Sequence, residues 1–423
     1  MKIKLIGGTL VNPAGEKSGK LDILIEDGCI KTIGDDAGSA DRTIDITGKH
    51  VFPGFIDLHC HLREPGQEYK EDIFSGTRAA AKGGFTAVCC MPNTVPVTDN
   101  AAVCALVLEK ARHASAKVYP VGAVTKGLMG KELTEMGELA EMGCVAFSDD
   151  GKPIANGAVM RAAMQYADTF GRFIMAHEES SDLVGKGVMN EGQTATVLGL
   201  PGITRAAEEA MIARDLLLAE AYGLRVHIQH VSTRGGIETI RAAKKNGVRV
   251  TCETCPHYFS ADDSFCIGYN TNAKVNPPLR TKDDVSAVKE GLFDGTIDAI
   301  ATDHAPHHKD EKRVEFALAL SGISGFETAF SLALTHLTDD ADVLARLLSV
   351  NPARIIGRQG GVITEGAQAD ITVADMNAEY VLTENSLLSK GKNTPFLGHT
   401  LRGSVTHTFV DGQLVFDGDD ACE

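Results

Sequence analysis

Residues 55–66 read FIDLHCHLREPG, an apolar run that ends in an acid, two histidines and an arginine. Successive side chains of an extended strand point to opposite faces, so residues two positions apart share a face. We therefore expect His59 and His61 to reach one point in space, with Arg63 just beyond them. This pattern predicts a buried strand that ends at a functional site.

Seven further β-rich apolar runs follow, and stretches with helical character separate them. Eight strand and helix units in succession predict a (β/α)₈ barrel of the TIM type over residues 51–360. The runs are apolar throughout, as expected for parallel strands that are covered on both faces. In chain order the eight runs are HVFPGFIDLH (50–59), FTAVCCMPN (85–93), KVYPVGAV (117–124), GCVAFSDD (143–150), RFIMAHE (172–178), LRVHIQHV (224–231), VRVTCETC (248–255) and IDAIATDH (297–304).

The two ends of the chain have a different pattern, with short alternating strands and turns such as NPAG, EDG and VDG. Asp-Gly turns between alternating strands are typical of antiparallel hairpins. We therefore predict a small β-sandwich domain that both termini build together, from residues 1–50 and 361–423.

The charge and hydropathy of the sequence limit the partners and the cellular location to be expected. The chain of 423 residues carries 57 acidic and 41 basic side chains, a formal net charge of −16. This balance argues against nucleic acid or an anionic membrane as a partner. No apolar run reaches the roughly 18 residues that span a bilayer, and the opening segment lacks the apolar core of a signal peptide. We expect a cytoplasmic protein in which an anionic substrate would need a local cationic anchor.

The ten cysteines are scattered, and several lie inside apolar runs. This placement predicts reduced, buried side chains. The CETC stretch at 252–255 has the spacing of a redox or zinc motif, but it has no second CxxC partner. We do not expect a structural zinc there.

Metal-binding residue types fall at the carboxyl ends of the predicted strands. In a (β/α)₈ barrel these ends form the active-site face. Imidazole and carboxylate groups suit Zn²⁺, and the set is too large for one tetrahedral ion. The set comprises His59, His61, Asp150, His177, His230 and Asp303.

Two zinc ions are therefore favoured, although one or two would be compatible with the set. Asp150 comes from the fourth run, between the two groups of histidines, and is the natural bridge between two ions. Such a pair would hold a shared hydroxide as the nucleophile and polarise a substrate carbonyl. Asp303 would then act both as a ligand and as the general acid and base.

At this point the chain resembles a known family. The order HxH, acid of the fourth strand, His, His, Asp is similar to that of the amidohydrolase superfamily, and more narrowly to bacterial dihydroorotases with an aspartate bridge. The resemblance runs along nearly the whole chain. Its most specific motifs are DLHCHLREPG, MPNT, NPPLR and TDHAPH, whereas HxH alone occurs in many hydrolases.

This resemblance implies a cyclic amide hydrolase of de novo pyrimidine biosynthesis, which interconverts L-dihydroorotate and N-carbamoyl-L-aspartate. It implies the six metal residues named above, with Asp303 as the catalytic one. It also implies a set of substrate contacts, of which Arg63 and Asn93 would bind the carboxylate of the substrate. The implied substrate contacts are His61, Arg63, Asn93, Asn276, His307, Ser321 and Gly322.

Rival functions remain open. Hydantoinases and allantoinases share the expected fold, but they bridge their metals with a carboxylated lysine on the fourth strand. The fourth run here has no lysine before Lys152, which favours an aspartate bridge. A nucleobase deaminase would need one metal and no bridging acid, and a non-catalytic scaffold would typically have lost ligands. We expect a homodimer, and some relatives form a complex with aspartate carbamoyltransferase.

Overall fold

The computed structural model describes residues 1–35 and 37–418, which form an α/β structure with 19 strands and 14 α-helices among them. Within these residues, every helix falls short of the length and apolar character that crossing a bilayer requires. In chain order the strands are β1 (Lys2–Ile6), β2 (Thr9–Leu10), β3 (Gly19–Lys20), β4 (Asp22–Glu26), β5 (Cys29–Gly34), β6 (Arg42–Asp45), β7 (His50–Pro53), β8 (Phe55–Cys60), β9 (Phe85–Cys90), β10 (Lys117–Pro120), β11 (Ile174–Ala176), β12 (Met189–Asn190), β13 (Gly202–Ile203), β14 (Val226–Ile228), β15 (Val250–Thr254), β16 (Ala299–Ile300), β17 (Ile371–Val381), β18 (Thr400–Val410) and β19 (Gln413–Asp417).

Along the sequence, most of the helices lie between the parallel strands. They are α1 (Ile73–Lys82), α2 (Ala101–Ala111), α3 (Met136–Glu141), α4 (Gly157–Asp168), α5 (Ser181–Val184), α6 (Gln193–Leu198), α7 (Ala206–Tyr222), α8 (Arg234–Lys245), α9 (Pro256–Ser260), α10 (Lys282–Phe293), α11 (Lys309–Lys312), α12 (Ala329–His336), α13 (Ala341–Ala345) and α14 (Asn351–Ile356).

The chain ends form two sheets. One consists of four N-terminal strands in the order β5-β4-β1-β6, and the other combines six strands of both ends in the order β19-β18-β17-β7-β2-β3. Strand β17 from the C-terminal part pairs antiparallel with β7, and β7 pairs parallel with β2. Apolar side chains of both chain ends, such as Ile3, Ile25 and Ile371, share one buried cluster. We call this part of the molecule the β region.

The central part of the chain contains two parallel sheets, in the orders β10-β9-β8 and β11-β14-β15-β16. Both faces of these strands are buried, because Ala87 and Cys89 of β9 belong to one apolar cluster and Val88 and Cys90 belong to another. A parallel bridge between Cys60 and His304 links the end of β8 to the segment after β16. The first and last predicted runs are therefore neighbours.

The fourth predicted run, residues 143–150, differs from the prediction because it forms no regular strand. Phe147 alone bridges Gly122 on one side and Ile174 on the other, both in parallel. The carboxylate of Asp149 accepts hydrogen bonds from the backbone nitrogens of Val124 (2.8 Å) and Thr125 (2.9 Å), so a side chain replaces backbone pairing there. The run still lies between β10 and β11.

The helix signals in the sequence match the observed helices. Asp72 caps α1 and accepts a hydrogen bond from Ser75 N, and Thr233 caps α8. Gly223 ends α7 in the left-handed conformation, at φ 65°, which favours glycine at this position. These ends orient the helices that follow the strands carrying the predicted site residues.

Two segments near the predicted domain limits have distinct pairing. Residues His50–Pro53 form β7 of the β region, because they pair with β17 and β2. Residues 382–399 connect β17 to β18 without joining a sheet. This connecting segment lies instead against the parallel part, where Glu71 accepts hydrogen bonds from Ser389 and Lys390.

Candidate metal centre and substrate cavity

The carboxyl ends of the parallel strands surround a cavity of about 450 Å³. Eleven of the twelve residues predicted from the sequence line it, and His59 lies fully buried beneath them. The lining residues from that prediction are His61, Arg63, Asn93, Asp150, His177, His230, Asn276, Asp303, His307, Ser321 and Gly322.

Two groups of side chains at the cavity floor have the composition of metal sites. His59, His61 and Asp150 form one group, and Asp150, His177 and His230 form the other. Within each group the potential ligand atoms all lie within 4.8 Å of one another, and every member is buried. Asp150 belongs to both groups, so its two carboxylate oxygens face both sets of imidazoles.

The distances around Asp150 are short on both sides. Its Oδ1 lies 3.4 Å from His59 Nε2 and 3.5 Å from His177 Nδ1, and its Oδ2 lies 3.6 Å from His61 Nε2. Burial raises the pKa of Asp150, but His59, His177 and His230 outweigh it and hold that pKa well below its usual range. The carboxyl group shared by the two groups is therefore ionised.

Asp303 faces the same imidazoles from the end of the eighth run. Its Oδ1 lies 3.1 Å from His61 Nε2 and 3.6 Å from His59 Nε2. Burial raises the pKa of Asp303, and the positive charge of His59 together with His61 more than offsets this, so the pKa lies well below its usual value. Asp303 is therefore ionised beside the imidazoles.

Some buried nitrogen atoms at the cavity floor have no hydrogen-bond partner among the described residues. These atoms are the Nε2 atoms of His59 and of His177. A buried polar atom without a partner is costly, unless an ion or another group satisfies it. In addition, His177 Nδ1 lies 2.7 Å from His230 Nε2, which brings two ring nitrogens to one point. The donor set therefore fits metal ions.

The backbone at the site is held in a sparsely populated conformation. Arg63, His230 and Asp303 have positive φ angles of 60°, 36° and 44°. Positive φ is uncommon for residues with a Cβ, and such positions concentrate at active sites. The surrounding structure thus fixes these three side chains in directions that an ordinary strand end would not give them.

Asn93 contacts the candidate metal ligands directly. Its Oδ1 lies 3.0 Å from His61 Nδ1, and its Nδ2 donates to Asp150 Oδ2 at 3.1 Å. The sequence analysis expected Asn93 to bind substrate. The structure places it in the cavity wall, where its amide also orients two of the predicted ligands.

Arg63 and His307 form one side of the cavity. The Arg63 Nε donates to the carbonyl of Pro306 at 3.2 Å, and its Nη2 lies 3.4 Å from His307 Nε2. Burial, together with the nearby Arg63 charge, lowers the pKa of His307 to about 3. This wall therefore presents one fixed cation and one neutral imidazole.

The remaining predicted contacts, Asn276, Ser321 and Gly322, also line the cavity. Asn276 is half-buried, and its Oδ1 has no hydrogen-bond partner among the described residues. The Ser321 carbonyl accepts a hydrogen bond from His307 Nε2 at 2.8 Å, and the Gly322 nitrogen donates to the Lys274 carbonyl at 2.9 Å. Parts of the Ser321 and Gly322 backbone are thus bonded within the protein.

Several residues at the site were missed by the sequence analysis. Glu253, on β15, lies 3.2 Å from His59 and 3.1 Å from His227. Glu179, which follows His177, lines the cavity at 3.7 Å from His177 Nε2. Cys255 and His257 gather around Asp303 in a third buried group. Strand alternation gives no signal for the last pair, because Cys255 follows the end of β15 and His257 lies in α9.

The cysteine prediction is consistent with the structure. All nine cysteines among the described residues are free, and eight of them are buried. The Cys252 thiol donates to the carbonyl of Thr296 rather than joining Cys255. The tenth, Cys422, lies outside the described residues.

Comparisons with known proteins agree with this geometry. Residues 48–236 match a family model described as dihydro-orotase-like. The chain is 51% identical to a dihydroorotase of Trichlorobacter lovleyi, over 99% of this chain and 100% of that protein. It is 52% identical to a dihydroorotase of Acetivibrio thermocellus, over 97% of each chain.

Similar solved structures include hydantoinases. The L-hydantoinase (dihydropyrimidinase) of Arthrobacter aurescens superimposes with a TM-score of 0.86 at 25% identity, over 98% of this chain and 96% of that one. A D-hydantoinase superimposes with a TM-score of 0.87 at 23% identity, over 99% of this chain and 96% of that one. These two structures support the amidohydrolase fold, while the full-length sequence identity of about one half is decisive for the family. The chain belongs to the dihydroorotase family.

Proposed function

We propose that this chain hydrolyses the cyclic amide of L-dihydroorotate to N-carbamoyl-L-aspartate, reversibly, with two zinc ions. One observation carries the proposal: a cluster of imidazoles and carboxylates and a fixed arginine line the same cavity. The cluster suits the hydrolysis of an amide, and the arginine suits a carboxylate on the same small ring. This cavity of about 450 Å³ is of a size for one small molecule.

The architecture that supports this function is a closed (β/α)₈ barrel with a β-sandwich from both termini. Parallel pairings join neighbouring runs from β8 to β16, and the bridge from Cys60 to His304 joins the first run to the last. In such a barrel the active site lies at the carboxyl ends of the strands. The predicted ligands lie at those ends.

Six side chains would hold the metal ions. Asp150 would bridge them, because it alone belongs to both groups of candidate ligands among the described residues. The metals would supply Lewis acidity toward the amide carbonyl and lower the pKa of water in the site. The six side chains are His59, His61, Asp150, His177, His230 and Asp303.

Asp303 would move the proton of the reaction. Water adds to the ring carbonyl carbon, the bond from that carbon to the ring nitrogen breaks, and the nitrogen must gain a proton. Asp303 is ionised and lines the cavity, so it can accept the proton from water and deliver it to the leaving nitrogen. The same carboxylate would reverse these roles during ring closure.

Arg63 would anchor the substrate through its carboxylate. A guanidinium group is a planar fork that matches a carboxylate with two hydrogen bonds. Asn93, Asn276 and His307 would complete the polar wall around the ring. In a chain of net charge −16, a fixed cation at the cavity is needed to offset repulsion of an anionic substrate.

A hydantoinase function is the closest alternative, since the similar solved structures include hydantoinases. Lys152 argues against it, because this lysine is exposed and does not line the cavity. A carboxylated lysine bridge would have to approach His59 and His177, where Asp150 already lies.

The test is a hydrolysis assay with dihydroorotate on the purified chain, together with elemental analysis. Removal of metal by a chelator should abolish activity, and Zn²⁺ should restore it. Full activity of metal-free protein would refute the metal mechanism. A clear preference for hydantoin or allantoin over dihydroorotate would assign the chain to the alternative function.

A further inference from the structure

The segment that connects β17 to β18, residues 382–399, reaches the active-site end of the parallel strands. Two carboxylates of the parallel part, those of buried Glu71 and half-buried Glu327, hold it there. Glu71 accepts hydrogen bonds from Ser389 and from the backbone nitrogen of Lys390, and Glu327 accepts from the backbone nitrogen of Ser389 at 3.1 Å. The segment is therefore fixed beside the cavity, although its flanking strands belong to the β region.

Asn393, near the end of this segment, makes a complete set of side-chain hydrogen bonds. Its Oδ1 accepts from the backbone nitrogen of His307 at 2.8 Å and from Ser324 Oγ at 3.0 Å. Its Nδ2 donates to the carbonyls of Ala305 at 3.0 Å and Gly322 at 2.9 Å. An asparagine amide offers two donors and two acceptor lone pairs, and here all four are used in a side chain that is 3% exposed.

These four bonds join the two ends of one loop. Ala305 and His307 begin the loop, whereas Gly322 and Ser324 end it. The loop carries His307 and Gly322, both of which line the substrate cavity. One buried amide thus joins the two ends of a loop that lines the cavity, in addition to the backbone hydrogen bond from Ala305 N to the Ile323 carbonyl at 2.9 Å.

The residues around the four Asn393 hydrogen bonds are closely packed. A Cβ at Gly391 would lie 2.6 Å from Pro306 Cβ and 2.8 Å from His307 N. A Cβ at Gly322, which has φ +150°, would lie 2.9 Å from His307 Nε2. A shift of the connecting segment would therefore move His307 rather than be absorbed by empty space.

We propose that Asn393 is a positioning residue for substrate recognition. The connecting segment, residues 382–399, then contributes to the active site. Asn393 fixes His307 and the Gly322 backbone at the spacing that the substrate ring requires. The inference rests on the proposed function, since it names the part of that site which recognises the ring.

Replacement of Asn393 should raise KM for dihydroorotate more than it lowers kcat. The four hydrogen-bond partners of the Asn393 side chain described above include none of the candidate metal ligands. Asn393→Ala would leave the loop without its two-point tether and its buried polar groups without partners. Asn393→Asp keeps the shape and both acceptor contacts, but it loses the two donors to Ala305 and Gly322.

The experiment compares KM and kcat for dihydroorotate in the wild type, Asn393→Ala, Asn393→Asp and a control, Asn351→Ala. Asn351 also donates through its side-chain amide to a backbone carbonyl, that of Asp298 at 2.8 Å, outside the cavity lining. Both Asn393 variants should raise KM by about tenfold or more, with a smaller change in kcat and unchanged metal content. The control should change KM by less than about twofold. A variant that is only less stable would instead contain less active enzyme, with an unchanged KM.

Hydrogen exchange supplies a readout that needs no activity. Amides of residues 305–324 should exchange faster in Asn393→Ala than in the wild type, and should not do so in Asn351→Ala. Unchanged exchange and unchanged KM in both Asn393 variants would overturn the inference. If the wild type shows no hydrolysis of dihydroorotate, the proposed function fails, and the exchange data alone decide whether Asn393 tethers the loop.

Gly391→Ala keeps the test decisive if the Asn393 variants do not fold. This change keeps asparagine at 393, but the added methyl group would lie 2.6 Å from Pro306 Cβ, 2.7 Å from Asn393 Oδ1 and 2.8 Å from His307 N, so it would displace the Asn393 amide from its partners. It should raise KM for dihydroorotate in the same way. A folded Gly391→Ala enzyme with wild-type KM would count against the inference.

Discussion

The Nδ1 atom of His59 lies 3.2 Å from Oε1 of Glu253, and both side chains are fully buried. The other oxygen of Glu253 lies 3.1 Å from His227 Nε2. Burial raises the pKa of Glu253, but hydrogen bonds from His227 and His59 outweigh it and set that pKa at about 2. A carboxylate behind His59 fixes the ring so that Nε2 points toward Asp150, at 3.4 Å.

The first prediction follows from this relationship. Glu253→Gln should weaken metal binding by about 10- to 100-fold, because the partner that orients His59 loses its charge. Competition with a chromogenic chelator measures the affinity. Thr251→Val is the matched control, since it removes only the 2.8 Å contact of Thr251 Oγ1 with the far side of His227. Wild-type affinity in Glu253→Gln would show that the carboxylate does not orient His59.

The second prediction concerns the carboxylate between the two groups of histidines. Asp150→Ala should lower the metal-to-protein ratio below about two as well as the rate, because Asp150 faces both candidate sites. Elemental analysis of the purified variant measures the ratio. Lys152→Ala, at an exposed position, should retain full metal. The opposite pattern, with metal retained in Asp150→Ala and lost in Lys152→Ala, would favour a lysine bridge.

The third prediction separates proton transfer from metal binding at Asp303. Asp303→Asn keeps the shape and an oxygen atom, but it cannot carry the proton. It should lower kcat by roughly 10² to 10⁴, with substrate binding retained. Steady-state kinetics and metal analysis on the same sample distinguish the two roles. A kcat within about tenfold of the wild type would exclude Asp303 as the general base.

The fourth prediction is a pH dependence of stability that arises at Lys312. This side chain is 4% exposed, and its Nζ donates to the carbonyls of Thr271 at 3.0 Å and Leu320 at 2.7 Å. Burial, with the nearby charges of Lys274 and Arg63, lowers the pKa of Lys312 from 10.5 to about 7.

Between pH 7 and 10.5 the unfolded chain therefore holds a proton at Lys312 that the native chain has released. The free energy of unfolding should rise with pH in this window, by up to about 1.4 kcal/mol per pH unit for one proton. Lys312→Met should lack this contribution, whereas the exposed Lys309→Met should retain it. Denaturant unfolding at several pH values measures the slopes. Equal slopes in the wild type and Lys312→Met would contradict the prediction.

The pattern of apolar and polar residues over short stretches of sequence was enough to predict the strands and helices that bear the candidate site residues. Apolar runs with polar ends anticipated β8, β9, β11 and β16, and stretches with helical character between the runs anticipated helices such as α7 and α8. The spacing of His59 and His61 anticipated that the two rings lie close, and their centroids are 5.4 Å apart. These features depend on neighbours within a few residues of chain, which is why the sequence alone predicts them.

Features that depend on distant parts of the chain were not predictable in this way. Asn393 meets His307 across 86 residues of sequence, and Glu253 meets His59 across 194. No local pattern signals either contact, because each depends on which loops the finished fold brings together. The positive φ of His230 and Asp303 was not predictable either, because it is uncommon for residues with a Cβ, even for His and Asp, which adopt it more often than most.

The fifth prediction concerns Arg63, two residues beyond His61 and in the wall of the same cavity. Its guanidinium is held by the Pro306 carbonyl at 3.2 Å, so it can meet a substrate group that is remote from the reacting amide. Arg63→Met should cost roughly 2 to 5 kcal/mol of transition-state stabilisation for dihydroorotate, through loss of a charged hydrogen-bond partner. Dihydrouracil, which lacks the carboxylate, should already be a poor substrate and should change little.

The measurement is kcat/KM for both rings in the wild type, in Arg63→Met and in Arg161→Met. Arg161 is the matched control because it is exposed on α4 and contacts Tyr222 rather than the cavity. A loss of kcat/KM that is confined to dihydroorotate in Arg63→Met would mean that the guanidinium binds the substrate carboxylate. An equal loss for both rings would mean that Arg63 only supports the cavity wall through Pro306 and His307. Specificity for the acidic ring would then have to come from another cation, and buried Lys274, which also lines the cavity, would be the next side chain to replace.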